Sequence, residues 1–320
     1  MDNNVSKNTF FDKFFKLHLE FDSIALKNFL QQQLWYAIHS YQQKHHFYVL
    51  SQSLVTLIPE KIILSRSQKT KSDKIKYRCA ICFPLASQWQ LSPLELAREL
   101  MQIFTSIQNS SQESSLEFEL ELITSGWIDF SLKESGLIIW LDRLIAFLET
   151  TAKISRSYST LPGRNLLRLG ENNPLFNHNS LFSLQYVHAR CCSLLRLGER
   201  ESLIKLKSPN FAVDSWNVSD PRCFSWLNSR GDFLLNHQSD RTLLIELVNL
   251  VDVFASSKSF NPFKLAENLS QAMLDFEANC RIFGEISPQL AQARLGLVAL
   301  GQYFLALLIQ QLGAIPLSEL

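Results

Sequence analysis

Tyr186 and Arg190 stand four residues apart in the run Leu184-Gln-Tyr-Val-His-Ala-Arg190. On a helix this spacing puts both on one flank, close enough to hold one partner between them. Aromatic rings stack on splayed bases and guanidinium groups clamp phosphates. The competing reading is an ordinary helix face. Gln185 lies beside them, and Arg281 and Arg294 are further guanidinium candidates on later helices. Arg294 interrupts an apolar stripe, so it must pair with a carboxylate such as Glu277 or Glu285, or emerge at the surface. Trp127 could stack on an unpaired base or fill a core. Lys69 and Lys71 belong to a basic run from Arg66 to Arg78, which reads as a phosphate contact or as a solvated loop.

Other residue groupings point away from catalysis and metal binding. Cys79-Ala-Ile-Cys82 has metal-ligand spacing, but no second pair follows at a suitable distance. On a strand, residues three apart point to opposite faces and cannot chelate together. His188 falls at the edge of the apolar stripe Leu184, Val187, Cys191, Leu194 and Leu195, and reads as a core histidine bonded to backbone. Catalytic use would need a nucleophile or carboxylate that the sequence does not place. No glycine-rich phosphate loop occurs, since Pro162-Gly163 and Gly170 stand alone. The expectation is no catalytic residue, no metal and no cofactor.

The chain has 320 residues, 46% hydrophobic and 19% charged, enough for two domains with cores of their own. Ten glycines and ten prolines favour long regular elements. A chain that grips nucleic acid over a large face is usually more basic than the net charge of +1 found here, so nucleic-acid binding must come from local patches or be weak and salt-sensitive. Residues 151–320 hold 11 of the arginines against 4 in residues 1–150. Six dispersed cysteines, and a start (Met1 to Lys16) without an apolar core, read as free thiols in a reducing cytoplasm. Leu295 to Leu312 is apolar, but it contains Gln302, Gln310 and Gln311 and lacks basic flanks, so it reads as a buried helix rather than a membrane span.

The elements that must position these residues can be read from periodicity. Residues 23–48 keep a helical spacing. Val49 to Leu64 reads as one or two strands, Ser65 to Lys74 as a loop, and Ile75 to Phe83 as an alternating half-buried strand. Ser92-Pro-Leu-Glu95 opens a helix running to about Ile107. Leu116 to Ile123 alternates with glutamates at 117, 119 and 121 on the solvent face, and Gly126 to Phe130 is a further strand. A helix over Glu134 to Thr150 completes an α+β domain with a small antiparallel sheet. Residues 151–178 are rich in Ser, Pro, Gly and Asn and read as a linker. Beyond it the chain reads as all-helical, with elements near 180–197, 239–256, 261–283 and 287–312. Leu203 to Asn236 is irregular, and Gly301 allows a close helix approach.

Three separated segments resemble one family in the right order. Phe83-Pro-Leu-Ala86, Ser92-Pro93 and Gly126-Trp-Ile-Asp-Phe130 are similar to the N-terminal additional domain of arginyl-tRNA synthetases, with Phe83 to Ala86 as a strand end. Leu184-Gln-Tyr-Val-His-Ala-Arg190 resembles the Tyr-Ala-His-Ala-Arg helix that opens their anticodon-binding domain. Asn279-Cys-Arg281, Ala293-Arg-Leu295 and Leu312-Gly-Ala-Ile-Pro316 resemble the closing half of that domain, called DALR. The resemblance implies an N-terminal domain that approaches the tRNA elbow and a helical bundle that meets the anticodon.

The sequence departs from that family in what it lacks. Class I synthetases stabilise reacting phosphates with His-Ile-Gly-His and Lys-Met-Ser-Lys-Ser loops. This sequence has no His-x-Gly-His, and Met1, Met101 and Met273 stand in no such context. Asp129 replaces the family's asparagine, which would put an anion near any phosphate, and Leu320 stands where the family has methionine. The resulting expectation is an α+β domain over residues 1–150, a linker over 151–178 in place of the catalytic core, and a DALR-type helical bundle over 179–320. Such a chain would be a non-catalytic arginyl-tRNA synthetase paralogue in the cytoplasm. It would bind tRNA or other structured RNA through Gln185, Tyr186, Arg190, Arg281, Arg294, Trp127, Lys69 and Lys71. The alternative is a protein-interaction or scaffolding module that has lost RNA binding.

Overall fold

The computed structural model describes residues 21–45, 58–66, 74–110, 116–158, 178–208, 211, 216–256 and 260–320. Lys69 and Lys71 fall outside the described residues, as do most of the 151–178 linker and residues 49–57 of the Val49–Leu64 strand reading. The chain divides into two compact units, Met1–Trp140 with Val251–Lys258, and Leu141–Leu250 with Ser259–Leu320.

The first unit is built on a four-stranded antiparallel sheet of order β1-β2-β4-β3, with β1 Leu64–Arg66, β2 Lys76–Cys79, β3 Phe118–Ile123 and β4 Trp127–Leu132. Its helices are α1 Leu26–Lys44, α2 Cys82–Trp89, α3 Pro93–Ser110 and the start of α4, which spans Glu134–Tyr158. Period-two alternation sorts β4 into two sets. Ile128, Phe130 and Leu132 share the core face with Tyr77 and Phe118. Phe104 of α3 and Phe29 of α1 cover that face, with ring centroids 5.2 Å from Phe130 and 6.2 Å from Phe118. Glu119 and Glu121 alternate outward on β3, as their spacing predicts, and pair with Lys74 and Lys76.

The sequence-based strand over Ile75 to Phe83 is corrected. β2 ends at Cys79, and Cys82 already begins α2. Pro84 lacks an N–H, which the first turn of a helix tolerates and a central strand does not. Phe83-Pro-Leu-Ala86 is therefore helical and not a strand end. The opposite-faces argument for Cys79 and Cys82 lapses with it, because the two thiols stand on different elements. Both are buried, and burial pushes them up to about 11 and about 12 respectively.

A second tie in this unit involves Asp252, at the end of α6 (Gln238–Phe254). Its carboxylate accepts from the Tyr77 hydroxyl and from the backbone N–H of Lys27, in the first turn of α1. α1 has no side-chain cap of its own at Ala25, so Asp252 supplies the acceptor that its orphan N–H groups need. Burial raises the Asp252 carboxyl, and burial foremost, with the Asp252 charge behind it, raises the Tyr77 hydroxyl well above its usual range.

The second unit is helical, with α5 His178–Arg200, most of α6, α7 Pro262–Asn279 and α8 Pro288–Gln311. A short antiparallel ribbon, β5 Lys205–Leu206 with β6 Val218–Asp220, lies in the stretch expected to be irregular. The Asn217 side chain extends it, accepting from the N–H of Ser208 and donating to its carbonyl. α8 is long and apolar enough to cross a membrane by length and composition, yet it is the most buried helix of the unit. α5 and α7 both pack on it and on each other. At Gly301 any Cβ would lie 2.4 Å from the Met273 sulfur of α7, the close approach its spacing predicts.

Arg294, the only charged residue of α8, is buried. Its Nε and Nη2 donate to both oxygens of Asp240, each at 3.1 Å, and Nη1 donates to the Arg281 carbonyl at 2.6 Å. Asp240, in the first turn of α6, also accepts from the N–H of His237. One guanidinium thus joins the start of α6, the end of α7 and the start of α8. The partner is Asp240 and not the Glu277 or Glu285 that sequence spacing suggested.

Two predictions follow from these contacts. Gly126 has φ +109°, and an added Cβ would come within 2.9 Å of the Pro93 backbone, where the strand motif meets the α3 motif. Gly126→Ala should therefore cost roughly 2–4 kcal/mol in urea denaturation; a loss under about 0.5 kcal/mol would show that the contact can yield. Removing the Arg294 charge as Arg294→Met should cost roughly 3–5 kcal/mol, because Asp240 is left buried and unpaired. Adding Asp240→Asn to that variant should recover part of the loss, and a double variant no more stable than Arg294→Met would refute the charge argument.

Candidate nucleic-acid interface

The candidate site centres on α5, which the sequence builds as a helix with three distinct flanks. Leu184, Val187, Cys191, Leu194 and Leu195 form the buried stripe against the bundle. Gln185, His188 and Arg196 face the segment that follows α8. Tyr186 and Arg190 remain on the third, solvent flank, as their four-residue spacing predicts.

That following segment is strapped along α5 by main-chain contacts. α8 stops because Gly313 adopts φ +81°, letting the N–H of Ala314 reach the Ile309 carbonyl. Gln185 Nε2 then donates to the Ile315 carbonyl, and its Oε1 accepts from the Leu317 N–H, both at 2.8 Å. His188 Nδ1 donates to the Leu317 carbonyl at 2.8 Å, while its Nε2 accepts from the Gln302 amide at 2.9 Å. Arg196 donates to the Ser318 carbonyl at 3.1 Å and pairs with Glu319 at 3.3 Å. His188 is thus the backbone-bonded core histidine expected from its place on the stripe. Burial lowers its pKa below the ordinary histidine value, partly offset by the bond to Leu317.

The candidate residues fall into different settings. Tyr186 is 49% exposed, and Phe182, one turn earlier, is 61% exposed. Arg190 is exposed as well, but its Nε donates to Glu277 of α7 at 2.6 Å. Arg281 is exposed at the end of α7, where its carbonyl is fixed by Arg294. Gln185 and Arg294 are buried, and their polar atoms are occupied by protein partners. Trp127, in the first unit, is half-buried and meets the Phe83 ring edge-on at 5.4 Å. Phe182 was missed by sequence reasoning. Its signal was the row Phe182, Tyr186, Arg190, at intervals of four.

Asp129 also reads differently in three dimensions. It pairs across β2 and β4 with Arg78, with two bonds of 2.7 Å, and only the arginine end is open to water. That bidentate pair holds the guanidinium more firmly protonated, through the hydrogen bond first. The aspartate is a neutralised strand partner and not the free anion expected from its sequence position.

Among the described residues, no group of three or more His, Cys, Asp or Glu side chains is arranged to hold a metal ion. None of the six cysteines is in a disulfide. What the α5 flank offers chemically is ring surface and a guanidinium, suited to stacking and to anion contact.

The comparisons with known proteins agree with this geometry. Residues 184–320 match the DALR anticodon binding domain. The arginine–tRNA ligase of Gloeobacter violaceus is 28% identical over 146 residues, covering 43% of this chain and 22% of that relative's length. No solved structure matches the chain. The matched stretch takes in most of α5, then α6 to α8 and the strapped segment that closes them, and it is preceded in the same chain by an α+β region with a four-stranded antiparallel sheet.

Proposed function

We propose that this chain binds tRNA, or a related structured RNA, through its DALR anticodon binding domain, and that it is a non-catalytic relative of arginyl-tRNA synthetases. The observation that supports it most is the exposed Phe182, Tyr186 and Arg190 row on the first helix of the matched segment. Rings on a rigid helix give a stacking platform, and the guanidinium at the end of the row can take a phosphate. Arg281 is the second guanidinium in this reading, while Gln185 and Arg294 act by holding the backbone around the surface. The proposed division is a synthetase-like domain over 1–150, a linker over 151–178 and the DALR-type domain over 179–320. The synthetase signature loops are absent from the sequence, so the proposal includes no aminoacylation. Six free thiols suit a reducing cytoplasm.

A second reading, a protein-interaction module, is favoured by the Arg190–Glu277 pair, which already neutralises the cation next to Tyr186 in the ring row. Pull-down from lysate with and without nuclease separates the two. Partners lost with nuclease support RNA binding, and partners that survive it support scaffolding.

The proposal makes four measurable predictions. Titration with total tRNA at low and moderate salt should give saturable binding that weakens as salt rises; no saturation at micromolar protein would end the proposal. Tyr186→Ala should weaken that binding about tenfold or more, the value of roughly 1–3 kcal/mol for one base stacked on a ring. Arg190→Ala should also weaken it, whereas Glu277→Gln, which frees the guanidinium, should strengthen it. Unchanged affinity in both of these last variants would take this helix out of the interface. ATP–pyrophosphate exchange with arginine should be flat, and measurable exchange would overturn the non-catalytic assignment.

A further inference from the structure

The strap along α5 is held in an unusual way. Its backbone is gripped, while its apolar side chains are not. Ile315 and Leu317 are 56% and 43% exposed, so they contribute little burial to hold the segment down. The grip comes from Gln185, His188 and Arg196, the last of them at a partly exposed ion pair. Surface pairs of that kind contribute little. The part-buried bonds from the buried Gln185 and His188 side chains therefore carry most of the attachment.

Of these, the His188 bonds require a neutral ring. Nδ1 must carry the proton given to the Leu317 carbonyl, and Nε2 must be bare to accept from Gln302. A second proton on Nε2 would face the amide N–H of Gln302. Turning that amide would present its oxygen, but the imidazolium would still be buried without a countercharge. α5 contributes Cys192, whose sulfur lies 3.9 Å from Nδ1 and whose thiol burial pushes up to about 12, and Arg196. The strap contributes Glu319, already paired with Arg196. α8 contributes no charge but Arg294, which is committed to Asp240. α7 contributes Glu277, bonded to Arg190 on the other flank of α5.

We propose that His188 is the latch of a pH-sensitive strap: protonating the ring releases residues 314–319 from α5 while the helical bundle stays folded. The strap, not the bundle, yields because it is the weakly buried side of the bond, whereas Gln302 belongs to the most buried helix. Release would bare the Gln185 amide beside Tyr186, changing the surface next to the exposed ring row. This inference does not depend on RNA binding.

The direction follows from linkage. The folded-state pKa of His188 lies below its ordinary value, so the released state takes up the proton first as pH falls. The latch is at full strength above the ordinary histidine pKa of about 6.5 and is lost as pH falls through the folded value. Between those two values it weakens by up to about tenfold per pH unit.

Hydrogen exchange on the intact chain tests this. The Leu317 amide, which donates to Gln185, should lose about tenfold in protection between pH 7.5 and pH 5.5, after correction for intrinsic exchange. Amides in the middle of α8 should hold theirs. In His188→Asn, whose amide nitrogen can still donate to Leu317 but does not titrate, protection at Leu317 should no longer depend on pH. A flat wild-type profile would overturn the proposal, as would an equal fall in His188→Asn or a fall in α8 that tracks Leu317. If the variant does not fold, NMR titration of the wild-type His188 ring decides: its proton uptake must coincide with the loss at Leu317, and uptake at a different pH refutes the latch.

Discussion

Helix α8 imposes the constraint on which the second unit depends. It is apolar almost all round, and a helix without a polar face has no stable place at a surface. Of its 24 residues, 18 are buried, so neighbours must cover it on every side. α5 and α7 pack along it, and Gly301 lets α7 approach closely. Phe224 and Trp226 of the connecting segment lie against Gly296. The two polar groups on α8 that cannot be avoided, Arg294 and Gln302, are then forced to find partners inside. Arg294 takes Asp240 and the Arg281 carbonyl, and Gln302 takes the His188 ring. Both partnerships reach outward from the core: one fixes where α7 ends, and the other helps to fix the strap on α5.

The outer surface is correspondingly what this interior leaves over. A net charge of +1 hides a marked tendency for cations to be neutralised locally. Arg78 is bound by Asp129, Arg190 by Glu277, Lys74 and Lys76 by the glutamates of β3. The outer face of the sheet is therefore a ladder of paired charges and not a basic platform. The row Phe182, Tyr186, Arg190 on α5 presents to water two rings and a guanidinium paired with Glu277. A surface of that kind works by stacking more than by long-range attraction, which is why the proposed function rests on Tyr186 and Phe182 as much as on Arg190.

Much of the element order was legible in the sequence because period and caps carry it. The long helices matched their spacing, Ser287 and Asn261 cap α8 and α7 ahead of Pro288 and Pro262, and the glutamates of β3 alternate outward. One failure of period was at Cys82, where alternation continued by coincidence into a helix. The presence of Pro84 was the available signal. The spacing also ends the helix after the sheet at Thr150, whereas α4 runs to Tyr158.

For the site, the sequence by itself determined which residue types could serve and which shared a flank. A spacing of four residues places Tyr186 beside Arg190 on any α-helix, whatever surrounds it. It could not determine which of the candidates would be used up in holding the fold. Gln185 and Arg294 are as polar as Arg190, and only the tertiary structure commits them to Leu317 and to Asp240, residues 132 and 54 positions away. The reason is physical. Burial and hydrogen-bond partnership are set by contacts between distant segments, and a buried polar group must satisfy whichever partner the packing brings to it.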